Sequence, residues 1–121
     1  MVIEYNKTLC KIGAILKKKL SRNNVIIINS DFKRFITDKK FDIVLSFAIH
    51  KWIGESTQKY LSRLSRHLKK DGYILIESHA GKDRQYLERE IRAHPHLKII
   101  KQGYTDDHQG DIRDFYYLAK K

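Results

Sequence analysis

The chain has 121 residues, which is enough for about one domain with a buried core. An apolar fraction of 41% with 11% aromatic residues excludes a disordered chain, and the formal charge of +11 favours partners that carry phosphate or other negative groups. No apolar run has the length of a membrane span or of a signal peptide, and the single Cys10 cannot form an intramolecular disulfide. We therefore expect a folded cytoplasmic protein that binds no membrane.

The first part of the chain alternates between strand and helix patterns. A β-like run at residues 2–5 is followed by Asn6, a good N-cap, and then by apolar residues at helical spacing. Residues 25–28 are all β-branched, which is typical of a strand covered on both faces. Residues 32–36 indicate a single helical turn, and the apolar run at residues 41–47 predicts the next strand.

The second part continues this alternation and ends in a hairpin. It is predicted to contain a helix, a strand, a helix that stops before Pro95, and two final strands, over residues 57–70, 73–76, 83–93, 97–104 and 112–119. Strands that alternate with helices predict an α/β fold with a mainly parallel sheet and right-handed crossovers. Ligands of such sheets bind at the carboxyl ends of the strands.

Those strand ends resemble the class I S-adenosylmethionine-dependent methyltransferases, and the likeness covers nearly the whole chain. It rests on four stretches, VIEYN at residues 2–6, INSDF at 28–32, FDIVLS at 41–46 and YLSRLSRHLKKDGYILIES at 60–78. The resemblance implies one Rossmann-like domain over residues 1–121, S-adenosylmethionine as cofactor, and methyl transfer to an oxygen or nitrogen of a small-molecule or RNA acceptor. Within the family, the stretches at residues 42–53 and 66–77 are most similar to the Bin3 type, which acts on the terminal phosphate of RNAs. His50 and Trp52 also resemble the His-Trp pair of methyltransferases that act on the carboxyl group of small acids.

The resemblance assigns one set of residues to the cofactor. Glu4 would bind the ribose hydroxyls, and Asp31 with Phe32 would lie beside the adenine. A first-turn acid at a helix and a turn residue after a strand are the respective alternatives for Glu4 and Asp31. The complete set of predicted cofactor residues is Glu4, Tyr5, Asn6, Asp31, Phe32 and Ser46.

A second set is predicted to face the methyl acceptor. His50 is the candidate general base, because histidine titrates near neutral pH, and Trp52 could stack on a base or cover the sulfonium. Glu77 and His79 follow a buried strand and could line the same cleft. In the alternative interpretation, Trp52 plugs the junction between helix and sheet, His50 is a hydrated loop residue, and Glu77 pairs with a nearby cation.

No metal site is predicted. His94 and His96 flank Pro95, but this spacing matches no zinc pattern and no cysteine lies nearby in the sequence.

The sequence departs from the family at its beginning. The family's first strand and glycine-rich loop would precede residues 2–6, and none of the six glycines forms a G-x-G between a strand and a helix. We therefore expect a truncated form whose first strand is missing from the middle of the sheet. A rearranged sheet, a homo-oligomer or a partner that supplies the strand would complete it. A non-catalytic binding or assembly subunit and a basic RNA-binding module remain the rival interpretations.

Overall fold

The computed structural model describes residues 1–106 and 110–121, and its internal contacts divide the chain into two compact units. The N-terminal unit, Met1–Thr37, contains β1 (Val2–Glu4), α1 (Lys7–Lys19) and β2 (Ile27–Asn29). The C-terminal unit, Asp38–Lys121, contains β3 (Phe41–Phe47), a 3₁₀ helix (His50–Ile53), α2 (Thr57–Arg66), β4 (Leu68–Glu77), α3 (Asp83–Ala93), β5 (Leu97–Asp106) and β6 (Ile112–Lys120). Among the helices of the described ranges, none is both long and apolar enough to cross a membrane.

The N-terminal unit is a parallel strand pair with one helix. β1 and β2 align so that Glu4 lies opposite Asn29, which brings the carboxyl ends of the two strands together. Asn6 starts α1 as its N-cap, because its side-chain oxygen accepts the backbone N–H groups of Thr8 and Leu9.

The C-terminal unit is a four-stranded mixed sheet whose core lies on one face. The strand order is β3-β4-β6-β5, with β3 parallel to β4 and the other two pairs antiparallel. Helices α2 and α3 cover the face from which Ile74, Ile76 and Tyr116 project. The fully buried apolar side chains are Tyr60, Leu61, Leu68, Ile74, Ile76, Leu87, Ile91, Leu97, Tyr116 and Leu118. The predicted α/β fold with parallel strands and a closing antiparallel hairpin is confirmed. The predicted turn of this hairpin includes residues 107–109, which lie outside the described residues.

Several predicted boundaries are wrong. The helix predicted for residues 57–70 ends at Arg66, and the following strand begins at Leu68. Pairing with β3 decides this, because the N–H of Phe41 bonds to the carbonyl of His67 at 2.8 Å and Phe41 is the strand partner of Leu68. Close packing fixes Gly72 here, since a Cβ atom would lie 2.9 Å from two backbone oxygens of β3.

The single turn predicted for residues 32–36 is present at residues 32–34 but is too short to form a helix. The N–H of Arg34 bonds to the carbonyl of Asp31 at 2.9 Å, and the N–H of Phe35 bonds to the carbonyl of Phe32 at 3.3 Å. The described strands form two sheets, β1-β2 and β3-β4-β6-β5, where the sequence predicted one sheet that lacks its middle strand. The 3₁₀ helix after β3 was not predicted.

Strand β3 lies at the edge of the four-stranded sheet. Among the described residues it pairs with β4 alone. Three of its apolar side chains remain more than half exposed, Ile43 at 59%, Leu45 at 58% and Phe47 at 52%. The second face of this strand is therefore open, although its apolar sequence suits a strand that is covered on both sides.

Candidate functional site

The carboxyl ends of β3 and β4 position one group of polar side chains. Phe47 and Glu77 form the last parallel pair of the two strands. The chain that leaves β3 enters the 3₁₀ helix, and the chain that leaves β4 passes His79 before it enters α3. Side chains from both connections converge on Asp83, the first residue of α3.

Asp83 is the centre of this group. Its side chain is 1% exposed, and its carboxylate accepts the backbone N–H of His79 at 2.7 Å. The imidazole Nε2 of His50 lies 3.0 Å from one carboxylate oxygen, and the ammonium of Lys51 lies 3.3 Å from the other. A buried carboxylate is thus satisfied by three donors, as a buried charge requires.

The groups around Asp83 lower the pKa of its carboxyl group. Burial alone would raise its pKa, but the His79 backbone N–H and the adjacent His50 and Lys51 outweigh burial and lower it. The pKa of His79 is lowered first by burial and then by its neighbour His50, so His79 is neutral near pH 7. The pair Asp83 and His79 therefore has an ionised carboxylate beside an uncharged imidazole.

The two ring nitrogens of His50 have different surroundings. The residue is 3% exposed, and its Nε2 is directed at the Asp83 carboxylate. Its Nδ1 is buried and has no hydrogen-bond partner among the described residues, as is true of Nε2 of His79. With the Nε2 proton donated to Asp83, the lone pair of His50 Nδ1 can accept a proton, which is the arrangement of a base oriented by a carboxylate. The interpretation of His50 as a hydrated loop residue is wrong, because the side chain is buried.

Trp52 and Glu77 lie at the border of this group. Trp52 is 81% exposed and contacts the ring of His79 edge-on at 6.1 Å, so the interpretation that it plugs the junction of helix and sheet is wrong. Glu77 lies 3.9 Å from the guanidinium of Arg113, a cation pairing that the alternative interpretation expected. A cavity of about 330 Å³ opens beside the group, lined by His50, Lys51, Glu55, Ser56, Thr57, Lys82, Asp83 and Tyr86.

The predicted cofactor residues of the N-terminal unit gather at the ends of β1 and β2. One carboxylate oxygen of Glu4 accepts the N–H of Asn6 at 2.7 Å, and its other oxygen has no partner in the part of the chain that the structure describes. Asp31 accepts the N–H of Lys33 at 2.9 Å, the bond of a turn residue. Tyr5 is 78% exposed.

Ser46 has a local partner. It is 1% exposed, and its hydroxyl bonds to the hydroxyl of Tyr60 at 2.7 Å beneath α2. Burial raises the pKa of Tyr60 to about 12, although the Ser46 bond opposes this shift. Ser46 stays a predicted cofactor residue, but its hydroxyl is engaged in the packing between sheet and helix.

Sequence reasoning missed three residues of these groups. Asp83 and Lys51 were not singled out, although an acid that follows a strand-end histidine at the start of a helix is the available signal. No role was predicted for Asn29, yet its amide donates to the carbonyls of Glu4 and Tyr5 at 2.9 and 2.8 Å and so fixes the end of β1.

His94 has a structural role. Its Nε2 bonds to the hydroxyl of Ser62 at 3.0 Å, and its Nδ1 accepts the backbone N–H of His96 at 3.2 Å. Both nitrogens are therefore used inside the protein.

The comparison with protein families identifies one class for this chain. Residues 2–76 match the family described as a methyltransferase domain. A search of curated proteins finds no match. Solved structures match this chain at low sequence identity, so these matches show its fold only.

Three structures illustrate the likeness. The N-methyltransferase NodS from Bradyrhizobium japonicum WM9, solved with S-adenosyl-L-homocysteine, is 14% identical with a TM-score of 0.77, over 98% of this chain and 65% of that one. A protein of Thermoplasma acidophilum assigned to the methyltransferases is 14% identical with a TM-score of 0.71, over 99% of this chain and 56% of that one. A methyltransferase from Thiobacillus denitrificans, also solved with S-adenosyl-L-homocysteine, is 10% identical with a TM-score of 0.74, over 98% and 74% of the two chains. The chain thus spans between about half and three quarters of these relatives.

Proposed function

The chain belongs to the methyltransferase domain family, and we propose that it binds S-adenosylmethionine and transfers the methyl group to an oxygen or nitrogen of a small-molecule or RNA acceptor. One observation carries the proposal: the family match covers β1, β2, β3 and nearly all of β4, the strands whose carboxyl ends hold the polar groups described above. The proposed setting is cytoplasmic, on the basis of the single, partly buried Cys10.

The N-terminal unit would hold the cofactor. The free carboxylate oxygen of Glu4 can accept hydrogen bonds from ribose hydroxyls, while its partner oxygen keeps the side chain oriented through Asn6. Asp31 and Phe32, at the end of β2, would contact the adenine. Tyr5 offers an exposed ring just after the end of β1.

The C-terminal unit would hold the acceptor and remove its proton. When bound, S-adenosylmethionine supplies a methyl group on a positively charged sulfur. An acceptor oxygen or nitrogen that receives this methyl group would have to give up a proton. His50 Nδ1 would take this proton, and the Asp83 carboxylate would stabilise the imidazolium that results. Trp52, Glu77 and His79 would shape the acceptor side.

Calorimetry with S-adenosylmethionine and S-adenosylhomocysteine tests the proposal. Both ligands should bind the intact protein, and Glu4→Ala or Asp31→Ala should weaken binding by about 10-fold or more, the effect of losing a hydrogen bond to a charged group. Asp71→Ala, which removes an exposed carboxylate of β4, is the matched control and should leave the affinity unchanged. Absence of binding at millimolar ligand would overturn the enzyme proposal and favour a non-catalytic binding or assembly subunit.

We also propose that another strand completes the sheet at β3, supplied by a second copy of the chain or by a partner. The support is the edge of β3, which pairs with no strand of the described residues other than β4, together with the exposed Ile43, Leu45 and Phe47. Light scattering of the purified protein should show an oligomer, and Leu45→Lys should shift it towards the monomer. A purified chain that stays monomeric and binds no partner strand would contradict this proposal.

A further inference from the structure

Trp52 is the only tryptophan of the chain, and the structure leaves it exposed beside the proposed base. It is 81% exposed at the third residue of the short 3₁₀ helix, and the centre of its ring lies 6.1 Å from that of His79 in an edge-on arrangement. The ring of His79 in turn lies 5.0 Å from that of His50. A large aromatic ring therefore faces solvent close to the proposed base, because Trp52 contacts His79 and His79 contacts His50.

Cationic and aromatic side chains continue this surface. Lys51 and Lys82 line the cavity of about 330 Å³ next to His50, and Tyr86 lines it from α3. Tyr86 is 42% exposed, and the guanidinium of Arg89 lies 5.2 Å from the centre of its ring. We call the two exposed rings of Trp52 and Tyr86 the aromatic platform. Its cations are Lys51, Lys82 and Arg89.

We infer that the aromatic platform binds single-stranded nucleic acid, so that the methyl acceptor is carried on a polynucleotide. The inference rests on the proposed function, since it names the class of acceptor. Nucleic-acid bases stack on exposed aromatic rings whatever their sequence, and cations beside the rings attract the phosphates. The formal charge of +11 supplies the long-range attraction that a polyanion requires and a small neutral acceptor does not.

The single tryptophan provides the readout. Titration with an oligouridylate of about 12 nucleotides, within the site sizes of single-strand binders, should quench the fluorescence of Trp52. The affinity should fall as salt rises from about 50 to about 200 mM, because phosphate contacts release counterions. Anisotropy of a labelled oligouridylate then measures the variants without relying on tryptophan.

Two pairs of variants test whether binding depends on the aromatic platform or on the overall positive charge of the protein. Trp52→Ala should weaken binding by about 10- to 100-fold, the range of one base stacked on an aromatic ring, whereas Tyr104→Ala, which removes a 68% exposed ring from β5, should have little effect. Lys82→Ala should lower the salt slope by about 0.7, the contribution of one phosphate on a single strand. Lys98→Ala, on β5, removes the same charge from an exposed site outside the platform and should change the slope less.

The outcomes distinguish this inference from the proposed function. No quenching and no anisotropy change up to about 100 µM oligonucleotide, the weak end of non-specific binding, would overturn it, as would equal affinities of Trp52→Ala and Tyr104→Ala. Quenching by phosphatidylserine vesicles without quenching by oligouridylate would assign the platform to a membrane surface and also overturn it. Calorimetry with S-adenosylhomocysteine on the same wild-type sample shows separately whether the cofactor proposal holds.

Discussion

Replacement of Asp83 by asparagine tests whether one carboxylate holds the connections after β3 and β4 together. The side chain keeps its size, but one acceptor oxygen becomes an amide that can only donate. Oδ2 accepts the N–H of His79 at 2.7 Å and Nε2 of His50 at 3.0 Å, and Oδ1 accepts the ammonium of Lys51 at 3.3 Å. An amide nitrogen at either position therefore faces at least one of these donors. Loss of a hydrogen bond to a buried charge costs about 2 to 4 kcal/mol, so Asp83→Asn should lower the free energy of unfolding by that amount.

Urea unfolding, followed by circular dichroism and by tryptophan fluorescence, measures this loss. With a slope of about 2 kcal/mol per molar, the midpoint should fall by roughly 1 to 2 M. Asp42→Asn is the matched control, because Asp42 makes its ion pair with Lys69 at the surface, where the side chains are 80% and 52% exposed. Its midpoint should barely change.

The acid limb of the stability curve gives a second readout. Because the folded state lowers the pKa of Asp83, its stabilising effect is present above the usual carboxyl pKa and is lost as the pH falls through the lowered value. The difference between the wild type and Asp83→Asn should therefore shrink below about pH 4. Equal midpoints of the two proteins at neutral pH, or a loss as large in Asp42→Asn, would refute the reasoning.

Three further predictions use the same unfolding assay. Gly72→Ala should cost about 1 to 3 kcal/mol, because its Cβ would meet rigid backbone oxygens of β3 at 2.9 Å; an unchanged midpoint would contradict that packing. Ser46→Ala should cost about 1 to 2 kcal/mol through loss of its 2.7 Å bond to Tyr60, and the double variant with Tyr60→Phe should lose less than the sum of the two single losses, whereas full additivity would mean that the two hydroxyls are independent. Burial lowers the pKa of His79 and His94, so the unfolded state takes up protons first and stability should fall as the pH drops below about 6.5; a rise on acidification would contradict this.

The sequence predicted those features that depend on neighbouring residues. The N-cap at Asn6, the helix stop before Pro95 and the closing hairpin follow from local chemistry, and the structure has all three. The end of α2 depends on a distant contact. Residues 67–70 suit a helix as well as a strand, and pairing with Phe41 decides between the two.

The candidate site was predicted only in part, because it too depends on contacts between residues that are distant in the chain. Its histidines stand out because they follow apolar strands, but Asp83 lies 33 residues from His50 in the chain, and only the fold shows that their side chains meet. The sequence also did not show which face of β3 is exposed. Ile43 and Leu45 alternate with Val44 and Ser46, and an unbroken apolar run does not tell which of the two faces is covered.

The division of the chain at residues 37 and 38 has a consequence for how such a protein can be changed. Five of the predicted cofactor residues belong to the N-terminal unit, Glu4, Tyr5, Asn6, Asp31 and Phe32, while His50, Trp52, Glu77 and His79 belong to the C-terminal unit. Each of these two sets lies within one continuous stretch of the sequence. Under the proposed roles, recombination at that boundary would exchange the acceptor residues as a block, together with Ser46, and leave the other five proposed cofactor residues in place.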